Sequence, residues 1–162
     1  MADKAKGLVS MTPVVTVAAA DDSDTVDVIH HDIKKTLGGK LDYEKADADD
    51  KWFYSTSIDV TTNADLLSGD FTEGGTISSG DDKVRFIFVK NSGTTNGTTE
   101  TSSILYLTTN GTNPAATGNA LAMGPGESMV LKFRTGQDVS SLHAATSSGT
   151  IRVTVAAIID DI

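Results

Sequence analysis

The side chains best equipped for chemistry in this chain are three histidines and an excess of carboxylates. His30 and His31 are adjacent and followed by Asp32, a trio with the flavour of a metal site. Neighbouring residues on a strand point to opposite faces, so the two imidazoles cannot share one ion without a bend. His143 is the third histidine, which leaves a zinc site poorly supplied, and the trio is expected to be an exposed polar strand end. Asp21-Asp22-Ser23-Asp24 and Asp47-Ala48-Asp49-Asp50 offer the oxygen ligands that calcium takes. Neither has the sixth-position Gly and twelfth-position Glu of an EF-hand loop, so both are expected to be solvated acidic loops. No metal ligand is assigned.

Nucleophilic catalysis finds no better support. There is no cysteine, which removes thiolate nucleophiles, disulfides and Cys-ligated metals together. No G-x-S-x-G elbow occurs, and none of the histidines has a hydrolase motif around it. The phosphate-binding loop and the dinucleotide fingerprint are missing as well. A glycosidase needs two carboxylates facing across a cleft, and a sequence cannot show which acids face one another. Asn96-Gly97-Thr98 and Asn110-Gly111-Thr112 match the glycosylation acceptor pattern, but Asn-Gly also suits a tight turn, and both are read as turns. The expectation is a protein that is not an enzyme, with no catalytic residue and no cofactor.

Composition points to a scaffold that presents surface. The chain has 162 residues and a formal net charge of −9. Residues 1–70 hold 14 acids and 7 bases, and residues 71–162 hold 8 acids and 6 bases. No Lys/Arg run interrupts this balance, so phosphate backbones and anionic membranes would repel the chain, and neither nucleic acid nor membrane is an expected partner. No apolar run approaches the ~20 residues of a membrane span. The 22 Thr, 15 Ser and 15 Gly make up about a third of the residues, a bias toward strands and turns and away from helices.

Periodicity agrees. Trp52, Tyr54, Thr56, Ile58 and Val60 alternate with Ser55, Ser57 and Asp59, as in a half-buried strand with the first set inward. Val84–Val89 is apolar on both faces, which suits a central strand. Ile104–Leu107, Ser128–Phe133 and Ile151–Val155 have strand length and composition, and Asn91-Ser92-Gly93, Gly124-Pro125-Gly126 and Ser147-Ser148-Gly149 supply turns between them. The pattern predicts an all-β fold of at least seven strands in two packed antiparallel sheets. Phe86, Phe88, Leu131, Phe133, Val153 and Val155 are expected between those sheets. Residues 21–162 are read as one β-sandwich domain, and residues 1–20 as an extended N-terminal arm or first strand.

The order of features from Asp82 to Ile162 resembles virion structural proteins of tailed bacteriophages, of the capsid decoration or cement type. It runs Asp82-Lys83-Val84-Arg85-Phe86-Ile87-Phe88-Val89-Lys90-Asn91-Ser92-Gly93, then Leu105-Tyr106-Leu107, then Met123-Gly124-Pro125-Gly126-Glu127-Ser128. Asp138-Val139-Ser140-Ser141-Leu142-His143-Ala144 and Gly149-Thr150-Ile151-Arg152-Val153-Thr154-Val155 follow, with an acidic end at Asp160-Asp161. The resemblance covers about half of the chain; residues 1–70 carry none. It implies a jelly-roll-like sandwich on the outside of a phage head, made in the host cytoplasm and carried on the virion. Its partners would be the major capsid protein and copies of itself, with a trimer as the expected oligomer. A carbohydrate-binding or adhesive sandwich is the alternative, which exposed aromatics would favour.

The N-terminal segment is the candidate contact with a partner. Lys4 and Lys6 suit an acidic surface, and Leu8, Val9, Met11, Val14 and Val15 are too interrupted to form a core alone. An extended segment of this kind can add to an open sheet edge. The run ending at Ala18-Ala19-Ala20 mimics an export signal, but Ser10, Thr12, Pro13 and Thr16 break its apolar region and Asp3 precedes the lysines. Contact with a capsid or with a neighbouring subunit is the preferred reading.

Overall fold

A computed structural model describes residues 4–10, 15–18, 25–28, 38–44, 49–114 and 118–162. The chain divides into two compact units, residues 6–42 and residues 1–5 with 43–162. The expected boundary between Ala20 and Asp21 lies outside the described residues.

The described residues between 4 and 44 form two-stranded ribbons. Strand β1 (Lys4–Ser10) pairs with β4 (Gly38–Glu44), and β2 (Val15–Ala18) pairs antiparallel with β3 (Thr25–Val28). In that ribbon Val15 stands opposite Val28 and Val17 opposite Val26.

The larger unit is all-β. Its strands are β5 (Asp50–Val60), β6 (Ala64–Asp65), β7 (Lys83–Asn91), β8 (Leu105–Thr108), β9 (Leu121–Met123), β10 (Ser128–Asp138), β11 (His143–Thr146) and β12 (Ile151–Asp160). The named helical element of this unit is a single 3-10 turn, Val139–Ser141. Two four-stranded antiparallel sheets result, in the orders β10-β7-β12-β5 and β6-β11-β8-β9. Both contribute to one buried apolar cluster: Val84, Ile87, Val89, Val153, Val155, Ala157 and Ile159 from the first, and Leu105, Leu107, Met123 and Ala144 from the second. The arrangement is therefore sandwich-like, with the core between the sheets. Leu66, Leu67 and Leu142, from the segments between strands, enter the same cluster.

Asn91 ties the sheets together at one end. It is fully buried; its Nδ2 donates to the carbonyls of Ser103 and Met123, both at 3.1 Å, and its Oδ1 accepts from the Gly93 amide at 2.9 Å. Every polar atom of the side chain is thereby satisfied, as burial requires.

Three irregularities decide which side chains face the core. On β5, Ser55 stands opposite Val155 but Ile58 opposite Val153, so Thr56 and Ser57 together face one residue. Such a bulge reverses the alternation. Phe53 is inward before it, and Ile58 and Val60 after it, so the expected inward set holds only at its C-terminal end: Tyr54 and Thr56 are exposed, and Trp52 is half-buried outside the cluster. On β7, Ile158 pairs with Phe86 and Ile159 with Val84, leaving Arg85 as the extra residue. Val84, Ile87 and Val89 therefore join the cluster, while Phe86 is buried and Phe88 half-buried outside it, contrary to the expectation for both phenylalanines. Val153 and Val155 lie in the core as expected, with Leu131 and Phe133 partly buried against it. On β10, residues 133–136 stand opposite Arg85 alone. Gly136 has a φ of +81° there, and a Cβ would lie 2.8 Å from that of Lys83, so only glycine fits without a shift.

Candidate functional site

Because β7 and β12 are apolar on both faces, the sheet β10-β7-β12-β5 carries a second apolar surface, turned away from the core. Its register fixes a series of cross-strand rows. From one end these are Asp50–Asp160–Lys83–Asp138, Trp52–Ile158–Phe86–Lys132, Tyr54–Ala156–Phe88–Val130 and Thr154–Lys90–Ser128.

The first row is an electrostatic clasp. Asp50 and Asp160 are directly opposite and only 1% and 9% exposed. The Tyr43 hydroxyl donates to Asp50 Oδ2 at 3.0 Å, the Arg85 guanidinium donates to Asp160, and Lys83 Nζ reaches Asp138 Oδ1 at 2.6 Å. Tyr43 lies across this end of the face, with the Lys132 ammonium 5.9 Å from its ring centroid. Burial, and then the hydrogen bond to Asp50, push its phenol up to about 12. Next to the clasp, Lys51 pairs with Asp161, which raises the amine's pKa, and lies 5.2 Å from the centroid of Phe71. Asp82 is fully buried, and its carboxylate accepts the amides of Ser78 at 2.8 Å and Ile162 at 3.3 Å.

Two carboxylates side by side are the raw material of general acid–base chemistry. Here, however, they are closed from solvent and occupied by Tyr43 and Arg85, an arrangement that fastens strands together. Among the described residues, no group of three His, Asp or Glu side chains is placed to hold a metal. His30, His31, Asp32 and Asp21–Asp24 lie outside the described residues, as do Asp47 and Ala48, while Asp49 and Asp50 belong to the end of the sheet just described. His143 serves as a tether. Its Nδ1 is 2.8 Å from Asn63 Oδ1, and its Nε2 is 3.0 Å from the Ser140 carbonyl and 3.3 Å from Asp65, joining β11 to the short edge strand β6. Asn96 and Asn110 are turn residues: Asn96 Oδ1 accepts the amides of Thr98 and Thr99 at 3.0 and 2.8 Å, and Asn110 Oδ1 accepts that of Thr112 at 3.3 Å.

Further along the same face the surface opens. Tyr54 is 62% exposed, Phe88, Val130 and Ala156 are half-buried beside it, and Lys90 is exposed in the next row. Beyond that row, Arg152 clamps Asp59 with two hydrogen bonds of 2.8 and 3.0 Å and reaches the Asn96 carbonyl at 2.8 Å. The pair lowers the Asp59 pKa and raises that of Arg152 through that hydrogen bonding. The open rows combine apolar contact area with a lysine and hydroxyls, a surface suited to binding.

The expected partner-contact residues fall elsewhere. Lys4, Lys6, Leu8 and Val9 lie in β1, where Lys6 is exposed, and Val15 begins β2; Met11 and Val14 are outside the described residues. Sequence reasoning missed the open face of the sheet, although its signal was there: three aromatics in succession, Trp52-Phe53-Tyr54, cannot all point inward from one strand.

The chain matches no protein-family model, and neither a curated protein nor a solved structure is significantly similar to it. No helix among the described residues is long and apolar enough to cross a membrane.

Proposed function

We propose that this chain is a non-enzymatic virion structural protein, a decoration or cement subunit that binds the outside of a phage head and stabilises it. The observation that carries the reading is the strand order of residues 43–162. There, the first strand pairs with the eighth, the second with the seventh, the third with the sixth and the fourth with the fifth. Nested hairpins divided between two sheets are the layout of a jelly roll, a fold used by viral capsid and lectin domains. The step from fold to function rests on the resemblance of residues 82–162, because a fold alone hosts many functions.

In this reading the N-terminal residues make the capsid contact. Among the described residues, strand β1 pairs with β4 alone, which leaves its other edge for pairing with a partner's sheet in this reading. Two-stranded ribbons gain little stability alone and favour a surface to pack on. Repetition over a shell turns a modest affinity per subunit into strong net stabilisation.

Purified protein mixed with heads that lack it should co-sediment with them, and should raise their disassembly temperature. A version without residues 2–12 should keep its melting temperature and lose the particles. Absence of co-sedimentation by the full chain refutes the reading. The alternative, a carbohydrate-binding or adhesive module, gains one observation: Trp52 and Tyr54 lie on the outward face of the sheet instead of in the core. Specific retention on a glycan array, with no binding to heads, would establish it.

A further inference from the structure

We infer that the open half of the outward sheet face, centred on Tyr54, Phe88, Val130 and Lys90, is a self-association surface that receives an acidic surface of a second copy in head-to-tail fashion.

Three features of the patch lead there. First, it is apolar where a solvated sheet face would be polar. The row Tyr54–Ala156–Phe88–Val130 crosses all four strands, and its only aromatic hydroxyl sits on a side chain that is 62% exposed. An antiparallel sheet with one solvated face carries polar residues on that face, so an apolar row there marks a contact surface.

Second, its charge is opposite to that of the chain. Asp59 and Arg152 neutralise each other, which leaves Lys90, exposed and without an ion pair among the described residues, as the net charge of the open rows. The chain as a whole carries −9. Its connection between β6 and β7 holds Asp70, Glu73, Asp81 and Asp82 across residues 70–82 without a single base, and the first three are exposed. A second copy therefore offers the complementary surface.

Third, geometry selects the mode. Two copies packed patch to patch about a two-fold axis would bring lysines of like charge together, which costs energy. Patch against acidic connection avoids this and is heterologous, so it closes into a ring when the rotation allows. A ring is compatible with the expected trimer.

The contact must be weak singly. Two rows about 7 Å apart across four strands about 4.8 Å apart span only a few hundred Å², below the roughly 800 Å² per partner of a standard interface. Assembly should therefore depend on concentration and on ring closure. It should also depend on salt, because the charges are exposed.

Sedimentation of the purified full chain tests this without any capsid, so its outcome is independent of the decoration reading. At ~0.02 M salt the protein should assemble with rising concentration, and at ~0.5 M it should shift toward monomer. The double variant Tyr54→Ser, Lys90→Glu should need at least tenfold more protein to assemble, with an unchanged circular-dichroism spectrum and melting temperature. Asp70→Lys with Asp81→Lys, altering the opposite surface, should have the same effect. A wild-type chain that stays monomeric at low salt and high concentration overturns the inference. So does assembly that neither pair of substitutions weakens. Weakening by the first pair but not the second overturns the head-to-tail mode.

Discussion

The two faces of the sheet β10-β7-β12-β5 are made by the same strands from similar residues, yet they meet different surroundings. The inner face presents Phe53–Ala157–Ile87–Leu131 and Ser55–Val155–Val89–Met129 as successive rows, closed over by the second sheet. The outer face presents Trp52–Ile158–Phe86–Lys132, where Ile158 and Phe86 are buried, and then Tyr54–Ala156–Phe88–Val130, where Tyr54 stands in solvent. Apolar content alone does not separate them. The inner face is satisfied by the molecule's own second sheet, whereas the outer face grades from an ion-paired, buried end to an open one. Apolar surface left open on an otherwise satisfied scaffold is where binding is to be sought.

The sharpest way to break this comparison is to truncate neighbouring residues on β7. Ile87→Ala removes a fully buried side chain and should cost about 3–4 kcal/mol in denaturant unfolding. Phe88→Ala, one residue on and facing out, should cost about 1 kcal/mol despite its larger side chain, because it already spends part of its area in water. Equal losses would mean that the bulge at Arg85 is misplaced and the register slipped by one.

Asn91→Ala should come next, at about 2–3 kcal/mol, since it leaves the carbonyls of Ser103 and Met123 without their donor in a buried setting. Chemical denaturation of the variant at neutral pH reads this directly, and a loss below ~0.5 kcal/mol would show that the inner face does not depend on the polar tie at its end.

Tyr43→Phe tests the buried end of the outer face. The Tyr43 phenol is raised from its ordinary 10.0 to about 12, so the folded state holds that proton more tightly than the unfolded chain does. Its contribution is complete below about pH 10 and is lost as pH rises through about 12. Wild-type stability should therefore fall faster than that of the variant between these limits, while at neutral pH the variant loses about 1 kcal/mol with the hydrogen bond to Asp50. Parallel pH profiles would place Tyr43 in solvent.

Tyr54→Ser should have the smallest effect on stability, within about 0.5 kcal/mol by thermal or chemical unfolding. A loss above ~1 kcal/mol would show that this half of the face is closed within the subunit.

The register of the candidate face could not be read from residues alone. Strict alternation along Trp52–Val60 places Trp52, Tyr54 and Thr56 with Ile58 and Val60, and only the bulge at Thr56-Ser57 separates the two groups. Likewise the motif at Val84–Val89 is apolar at every position but Arg85, and that one polar residue could not orient the strand because it is itself the extra residue of the bulge. Asn91 illustrates a different failure: Asn-Ser-Gly reads locally as turn chemistry, while its buried donors serve partners 12 and 32 residues away.

What the residues determined by themselves is local and therefore legible: strands from their β-branched and aromatic runs, connections from Gly, Asn, Ser and Pro, the absence of thiol chemistry, and an acidic surface. The all-β class follows from these, because strand propensity and turn geometry act within a few residues of chain. Which face of each strand is inside was settled only by tertiary structure. A bulge is a property of two paired strands, and one extra residue exchanges the faces for everything beyond it. The open aromatic row exists for the same reason. Tyr54 and Phe88 belong to strands distant in sequence, and only the register of β5, β12 and β7 brings them into one row.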